Sequence, residues 1–374
     1  MILKKIAYFE HKGKPQYWEI KDVHLGKRNL IVGLNATGKT RLINIISNFS
    51  KIITKKIKLG NGHWELEFLG DQENETYKYI LELSNGVITN EEIIRNGCKL
   101  LQRNQENGNI YSETTKKMVP FAPPRNELTI HVRRDQKEYP FLEQLHEWAN
   151  NCYGYAFTNV TPNQVVVPNM PRSLLEPGAL LENLSTVPYI LVEALRNPEV
   201  ETKIIDDFSR IGYPIEKISV VEKNVPGVSL GVPFIEIQEK DLKCATPQLA
   251  MSQGMYRAFS LIVIIEHILS IRQHCMVAID DLGEGLDYQR ATHIINLLFE
   301  KVKDSNIQLI VTSNDRFVIN AVDSKDLILL ERKGHIVVSF NYIKDKEKFD
   351  EFELTGLNNF DFFSGEMYKE EKDD

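Results

Sequence analysis

The chain has 374 residues, 42% of them apolar and 26% charged, with 45 basic and 52 acidic side chains and a net charge of −7. This composition is that of a globular protein with enough apolar residues for a large core, and it excludes a collagen-like, a mostly disordered or a disulfide-scaffold chain. The four cysteines include no CxxC pair, so neither a zinc ribbon nor a redox motif is indicated and reduced thiols are expected.

The first part of the chain predicts strands around one helix. Short strand-like runs lead to Gly33, and residues 39–54 place their apolar side chains on one helical face. Residues 63–132 then return to alternating apolar and polar residues separated by turn clusters. This alternation predicts an antiparallel meander.

The second part predicts helices, a loop and buried strands. The proline-rich residues 161–178 predict a loop or lid. Two wholly apolar runs, 276–279 and 309–311, flank a predicted helix at 288–302, which describes a βαβ unit of a parallel sheet. Further helices are predicted at 140–150, 188–211 and 250–272.

No apolar run is long enough to cross a bilayer, and no secretory signal opens the chain. These features predict a cytoplasmic protein without membrane contact.

Residues 33–40 read GLNATGKT, which matches the pattern G-x-x-x-x-G-K-[ST] between an apolar strand and an amphipathic helix. Glycines let successive backbone N–H groups point at a phosphate, and the helix N-terminus adds a positive dipole end. The lysine supplies a charge for the β- and γ-phosphate oxygens, and the last hydroxyl can ligate Mg²⁺. The alternative, an accidental glycine turn, is not favoured by this context. The expected nucleotide ligands here are Gly33, Asn35, Ala36, Thr37, Gly38, Lys39, Thr40 and Arg41.

The apolar run 276–279 ends in two carboxylates, Asp280 and Asp281. The first would orient Mg²⁺ and its waters, and the second would face the attacking water. An apolar run followed by acids is by itself commonplace, and often marks only the end of a strand. With the phosphate loop, the pattern assigns Asp280, Asp281 and Lys39 to catalysis and Thr40 with Asp280 to the metal.

Three further motifs stand in order around this strand: MSQGMYR at 251–257, GLD at 285–287 and TSND at 312–315. The series resembles ABC-type AAA family ATPases of the non-transporter branch. That branch includes the structural maintenance of chromosomes (SMC) heads, RecF-like repair proteins and the ATPase halves of overcoming-lysogenization-defect nucleases. In the last group the signature commonly reads LS-D-G-x-x-R, which Ser252, Gly254 and Arg257 approximate. The resemblance covers residues 1–50 and 245–345 well, and the middle loosely.

The resemblance implies an α/β P-loop head of the ABC-ATPase type, with a mixed central sheet, an antiparallel β subdomain and a helical lobe. The expected lobes are a core of residues 1–135 and 273–345, a helical insertion of residues 136–272, and a C-terminal segment of residues 346–374. The charge run of residues 366–374, EMYKEEKDD, predicts a disordered tail. The implied cofactors are ATP and Mg²⁺. Two copies would enclose ATP, with Ser252 and the amide of Gly254 as γ-phosphate ligands for the partner's nucleotide.

Several of these residues allow a second interpretation of their role. Ser252 is also an ordinary N-cap serine of a buried helix, and Arg257 either adds charge at the dimer interface or braces it. Asn314 stands where the family has a switch histidine, and it can hydrogen-bond a γ-phosphate but carries no proton. Asp281 is one methylene shorter than the family's glutamate, and Glu284 is a nearby substitute. These departures predict slow hydrolysis.

Three other features are open to two interpretations. Gln136 is a candidate Mg²⁺-sensing glutamine or a surface side chain. A basic stretch after residue 50 is a nucleic-acid contact or a solvated helix end, and a C-terminal aromatic cluster docks a partner or seals the core edge. The basic stretch is Lys51, Lys55, Lys56 and Lys58, and the aromatic cluster is Phe360, Phe362 and Phe363.

The predicted function is a slow ATPase that dimerises around ATP and controls an effector in antiviral defence or DNA maintenance. The stretch after Asp315 carries no nuclease signature, so the effector is expected from a neighbouring gene. Nucleic acid is a further candidate partner. The alternatives are a non-catalytic nucleotide-gated scaffold and a transporter ATPase subunit, against which stand the missing LSGGQ and switch histidine.

Overall fold

The computed structural model describes residues 1–72, 74–164, 178–224 and 231–369. The chain forms two compact units: unit 1 is residues 1–152, 274–276 and 323–374, and unit 2 is residues 153–273 and 277–322. The lobe boundaries expected from the sequence stay a prediction. The predicted loop at 161–178 lies largely outside the described residues, as do residues 370–374 of the predicted disordered tail. Residues 366–369 of that tail are described, and there Tyr368 is buried and Lys369 pairs with Glu331.

The described residues contain both strands and α-helices. The strands are Ile2–Glu10 (β1), Trp18–His24 (β2), Arg28–Val32 (β3), Gly62–Leu69 (β4), Thr76–Ser84 (β5), Val87–Arg95 (β6), Cys98–Asn104 (β7), Asn107–Ser112 (β8), Lys117–Phe121 (β9), Cys152–Ala156 (β10), Ile215–Lys223 (β11), Val232–Glu239 (β12), Thr246–Pro247 (β13), Cys275–Asp280 (β14), Ile307–Thr312 (β15), Leu327–Lys333 (β16) and Ile336–Asn341 (β17). The helices are Lys39–Ile53 (α1), Thr129–Val132 (α2), Pro140–Asn150 (α3), Val187–Ala194 (α4), Pro198–Arg210 (α5), Gln253–Ser270 (α6), Tyr288–Val302 (α7), Arg316–Asn320 (α8), Lys346–Thr355 (α9) and Asn359–Ser364 (α10).

Unit 1 is built on a mixed sheet in the order β3-β16-β17-β2-β1-β4-β5-β6-β7-β8-β9. β16 runs parallel to β3, and β17 runs parallel to β2. From β1 to β9 the neighbours are antiparallel, and β4 to β9 follow one another as a meander. The antiparallel meander predicted from the alternation and the mixed sheet implied by the resemblance are therefore confirmed.

The core of unit 1 is aromatic where α1 and α3 meet the sheet. The Phe49 ring lies 5.3 Å from that of Tyr79, and the Trp148 ring lies 4.8 Å from that of Phe68. Deeper in the meander, Arg103 and Glu91 form a fully buried ion pair at 3.1 Å. Rings of this size remove much apolar surface from water, so they stabilise the packing of both helices on the sheet.

In unit 2, the strands β10, β14 and β15 lie side by side in that order, and α7 joins β14 to β15. The first residues of β10 and β14 belong to unit 1. β14 and β15 are buried at every position. Helix α6 is apolar around most of its circumference, as expected for a helix enclosed by other elements. Helices α4 and α5 pack on it, and β11, β12 and β13 form a separate small antiparallel sheet.

The single helix predicted at 188–211 is wrong, because the chain forms two helices there, α4 and α5. The break falls at Asn197, which precedes Pro198. Proline lacks the N–H that would continue the helix and disfavours helical backbone at the residue before it. The Asn197 side chain instead accepts a hydrogen bond from the Glu199 amide at 3.0 Å and caps α5.

The C-terminal aromatic cluster seals the edge of unit 1. The Phe362 ring is fully buried, stacks on Phe352 at 4.2 Å and lies 5.0 Å from Phe349. Phe363 is also buried and Phe360 is half-buried. The sealing interpretation agrees with these contacts.

Among the residues that the structure describes, no helix combines the length and the apolar character needed to span a bilayer.

Candidate functional site

The predicted phosphate loop connects β3 to α1 in unit 1. Its backbone turns through left-handed conformations at Ala36, with φ of 64°, and at Gly38, with φ of 108°. Such backbone disfavours a side chain by roughly 1–2 kcal/mol, which accounts for glycine at the last of these positions. A Cβ on Gly33 would lie 2.9 Å from the Leu330 carbonyl oxygen, so glycine is required there by packing.

Lys39 is the first residue of α1 and its side chain folds back across the loop. Its Nζ donates to the carbonyl oxygens of Gly33 at 2.8 Å and Leu34 at 3.2 Å. Only 6% of the residue is exposed. The ammonium group is therefore held at the centre of the loop, where a triphosphate would lie.

The start of α1 fits an anion. Gly38 is the N-cap of α1 and supplies no side-chain hydrogen bond to the first turn of the helix. The N-cap side chain therefore does not occupy the backbone amides of that turn. Helix N-termini of this kind carry a partial positive charge and bind phosphate. Thr40 is exposed in the same turn, where its hydroxyl is accessible to a cation. The loop thus suits the phosphates of a Mg²⁺-bound nucleotide.

Two arginines add positive charge beside the loop. Arg41 lies over the Trp18 ring, 3.9 Å from its centre, and pairs with Glu10. Arg332, on β16, donates to the Ala36 carbonyl oxygen at 3.2 Å. Burial lowers the pKa of Arg41, and the nearby charge of Arg332 lowers it further. Arg332 therefore adds positive charge at the loop, whereas the charge of Arg41 is already paired with a carboxylate.

A pocket of about 390 Å³ adjoins the tip of the loop within unit 1. Residues 34–37 line one side, and residues of β16 and the C-terminal segment line the other, including Tyr368 and Lys369. Lys369 pairs with Glu331 at 3.0 Å and with Glu366 at 2.7 Å. The C-terminal segment is thereby fastened beside the phosphate loop.

The carboxylates Asp280 and Asp281 lie in unit 2 at the end of β14. Asp280 is buried and its Oδ1 accepts a hydrogen bond from the Thr312 hydroxyl at 2.6 Å. Asp281 is partly exposed and has left-handed backbone, with φ of 56°. No group of three or more His, Cys, Asp or Glu side chains in the described ranges is arranged to hold a metal by itself. A Mg²⁺ held with nucleotide phosphates and water needs no such group.

Asn314 is exposed, just beyond the end of β15. Before it, the buried Ser313 hydroxyl donates to the Leu282 carbonyl oxygen at 2.8 Å. After it, the Asp315 carboxylate accepts from the Phe317 amide at 2.7 Å and caps α8. Asn314 is therefore held between two anchored neighbours.

The signature residues begin α6. Ser252 is exposed, and its hydroxyl accepts a hydrogen bond from the Met255 amide at 3.2 Å, so the N-cap interpretation is correct as a structural fact. Gly254 is buried against the loop after Asp281, where a Cβ would lie 2.4 Å from the Gly285 carbonyl oxygen. Packing alone requires glycine at this position. A nucleotide role for Ser252 and Gly254 stays a prediction.

Arg257 braces unit 2. Its guanidinium donates to the carbonyl oxygens of Thr158 at 2.6 Å, Val160 at 3.0 Å and Glu284 at 3.1 Å. The residue is 7% exposed. It joins α6 to two loops within unit 2, and both of its expected roles at a dimer interface stay predictions.

The structure places the other predicted residues on surfaces. Gln136 lies in an exposed turn before α3, and Glu284 is exposed in the loop after β14. The four lysines after residue 50 are exposed as well, and Lys55 pairs with Glu127 at 3.2 Å. Within the described parts of unit 1, no hydrogen bond or ion pair joins Gln136 to the phosphate loop, and its metal role stays a prediction.

Two residues that contact the predicted site residues were not predicted from the sequence. Thr312 precedes the serine of TSND, and its hydroxyl contacts both carboxylate residues. Arg332 meets the loop from a position 296 residues away in the chain. Only the parallel register of β16 with β3 would have located it, and local patterns do not reveal that register.

Units of this architecture define a class of fold, the ABC-type ATPase head. No protein-family model and no curated protein matches the chain in sequence. Solved structures of SMC heads do match it. An SMC head bound to the C-winged helix domain of ScpA is 13% identical, with coverage of 92% of this chain and 99% of that chain and a TM-score of 0.55. A Pyrococcus furiosus SMC head with an extended coiled coil, bound to the C-terminal domain of ScpA, is 14% identical, with coverage of 94% and 99% and a TM-score of 0.53.

The chain therefore has the fold of an SMC head, which confirms the predicted fold class. The narrower likeness to overcoming-lysogenization-defect ATPases stays a prediction.

Proposed function

We propose that this protein is an ATPase head that binds Mg²⁺-ATP at its phosphate loop and hydrolyses it slowly. The observation that carries the proposal is the start of α1, where an N-cap glycine leaves the first turn without a side-chain cap and the Lys39 ammonium lies buried across the loop. Backbone amides and a central cation recognise phosphate oxygens. Thr40 and Asp280 would ligate Mg²⁺ directly or through its waters, and the metal would neutralise charge on the transferred phosphate.

The slow rate follows from the catalytic side chains. Asp281 would position the attacking water, but its carboxylate extends one methylene less than a glutamate does. Asn314 can donate a hydrogen bond to a phosphate but cannot carry a positive charge. Both differences weaken stabilisation of the charge that develops during phosphoryl transfer.

The proposal includes a dimer. Ser252 is exposed at the start of α6, so a second copy can approach it. A γ-phosphate bound there would accept hydrogen bonds from the N-terminal amides of that helix. ATP would then join two heads, and its hydrolysis would release them and switch an effector protein encoded nearby. The SMC heads of similar fold are bound to ScpA, which supports a protein partner; a role in antiviral defence or DNA maintenance rests on the sequence resemblance.

Nucleotide binding and phosphate release by Lys39→Ala test the proposal. Lys51→Ala is the matched control, because Lys51 is an exposed lysine in the last turn of the same helix. Lys39→Ala should lose measurable ATP affinity and phosphate release, while Lys51→Ala should match the wild type. Equal ATP affinity in all three proteins would refute the assignment of the loop.

Dimerisation has its own measurement. The molar mass in solution should double with ATP and Mg²⁺ but not with ADP, and Ser252→Ala should weaken the dimer. Ser270→Ala, at the other end of the same helix, is the control. A wild-type mass that stays monomeric with ATP contradicts the dimer.

A non-catalytic, nucleotide-gated scaffold is the second candidate, and the partly exposed, short Asp281 favours it. The two candidates differ in the effect of Asp281→Asn on phosphate release at saturating ATP. The ATPase predicts that this variant is slower than the wild type. The scaffold predicts equal background rates together with ATP binding and dimerisation in both.

A further inference from the structure

The Thr312 side chain lies between the two carboxylate residues of unit 2. Its hydroxyl donates to Asp280 Oδ1 at 2.6 Å and accepts from the Asp281 amide at 2.9 Å. The residue is fully buried. The hydroxyl thus donates its proton to the Asp280 carboxylate and accepts the backbone N–H of Asp281 with a lone pair.

The second of these bonds holds an unfavourable backbone. Asp281 has a φ of 56°, and left-handed backbone at a non-glycine residue costs roughly 1–3 kcal/mol, so it persists only when its surroundings fix it. The Thr312 carbonyl oxygen also accepts from the Leu282 amide at 2.9 Å. The backbone at 281–282 is therefore fixed on the end of β15 by two bonds to one residue.

We propose that Thr312 is the positioning residue of the carboxylate pair: it fixes one oxygen of Asp280, leaves the other for the waters of Mg²⁺, and holds the backbone from which the Asp281 side chain extends. This inference rests on the proposed function. A carboxylate near a metal is usually oriented by such a hydrogen bond, and loss of the bond typically costs about 10- to 100-fold in metal affinity or activity.

The arrangement also ties the carboxylates to the segment of the exposed Asn314. Thr312 and Asn314 lie two residues apart, and the Ser313 hydroxyl between them bonds the Leu282 carbonyl oxygen. Thr312 acts through Asp280 and Asp281, and does not itself touch the nucleotide.

The test compares Thr312→Val, which keeps the shape and removes the hydroxyl, with Thr312→Ser, which keeps the hydroxyl. Ser313→Ala is the matched control, since it removes a buried neighbouring hydroxyl that bonds a backbone carbonyl and no carboxylate. The probe is a fluorescently labelled ATP, titrated by anisotropy in EDTA and then at rising Mg²⁺. The quantity measured is the Mg²⁺ concentration at which half of the Mg²⁺-dependent gain in ATP affinity is reached.

We expect Thr312→Val to raise that Mg²⁺ concentration by about tenfold or more, with ATP affinity in EDTA unchanged within about twofold. Thr312→Ser should restore the wild-type value, and Ser313→Ala should leave it unchanged. Thr312→Ala provides the same comparison if the valine variant fails to fold. A wild-type Mg²⁺ dependence in the valine or alanine variant overturns the inference, as does an equal loss in Ser313→Ala. A wild type that binds no ATP under either condition overturns the proposed function instead.

Discussion

Gly254→Ala probes the contact between the start of α6 and the loop after Asp281. The new Cβ would lie 2.4 Å from the Gly285 carbonyl oxygen and 3.1 Å from Leu286 Cδ2. The nearer atom belongs to the backbone, so the clash cannot be relieved by turning a side chain. Overpacking of this kind costs roughly 1–3 kcal/mol, and the backbone contact points to the upper end.

The helix preference of alanine offsets part of this loss in free energy of unfolding. Alanine is preferred over glycine inside a helix by about 1 kcal/mol, and Gly254 is the second residue of α6. The net loss in free energy of unfolding should therefore be about 2 kcal/mol, and urea denaturation followed by circular dichroism measures it. Gly60→Ala is the control, because a Cβ there would meet no atom within 4 Å. If Gly254→Ala is as stable as the wild type, the packing argument for this glycine is wrong.

Three further outcomes are expected. Arg257→Met should lower the free energy of unfolding by about 3 kcal/mol or more, because three carbonyl oxygens lose a buried charged donor; a loss below 1 kcal/mol in urea denaturation would count against the brace. Arg103→Met should lower it by about 3–5 kcal/mol by stranding the buried Glu91 carboxylate, and Glu91→Leu in addition should recover part of the loss; a double variant less stable than Arg103→Met contradicts this. Burial raises the pKa of Asp326 to about 6 despite the neighbouring Arg28. Its folded pKa thus exceeds the unfolded value of about 3.9, so wild-type stability should fall as pH rises from about 4 to 6. Asp326→Asn should lack this fall, and equal pH slopes in the two proteins would refute the assignment.

Local patterns predicted the elements that local physics determines. The strand, glycine bend and amphipathic helix around residue 33 follow from spacing alone, as does the alternation that forms the meander. The break at Asn197 was missed although its cause is local. The apolar period runs across it, but proline disrupts the helix more than the period favours it.

Contacts between distant positions could not be predicted in this way. Arg257 meets the Thr158 carbonyl oxygen across 99 residues, and the Thr312 hydroxyl meets Asp280 across 32. Such bonds depend on which strands and loops become neighbours after folding. The sequence therefore indicated the types of residue at the candidate site, but not the side chains that orient them.

The bonds of Lys39 have a consequence for ligand entry. The Lys39 ammonium donates to the carbonyl oxygens of Gly33 and Leu34, and these bonds hold the curvature of the loop. A triphosphate that binds here must draw the Lys39 ammonium away from these carbonyl oxygens. The phosphate oxygens therefore replace two existing hydrogen bonds of the lysine. Part of the attraction is spent on that exchange, which lowers affinity, whereas little entropy is lost in ordering a loop that these bonds already hold in place.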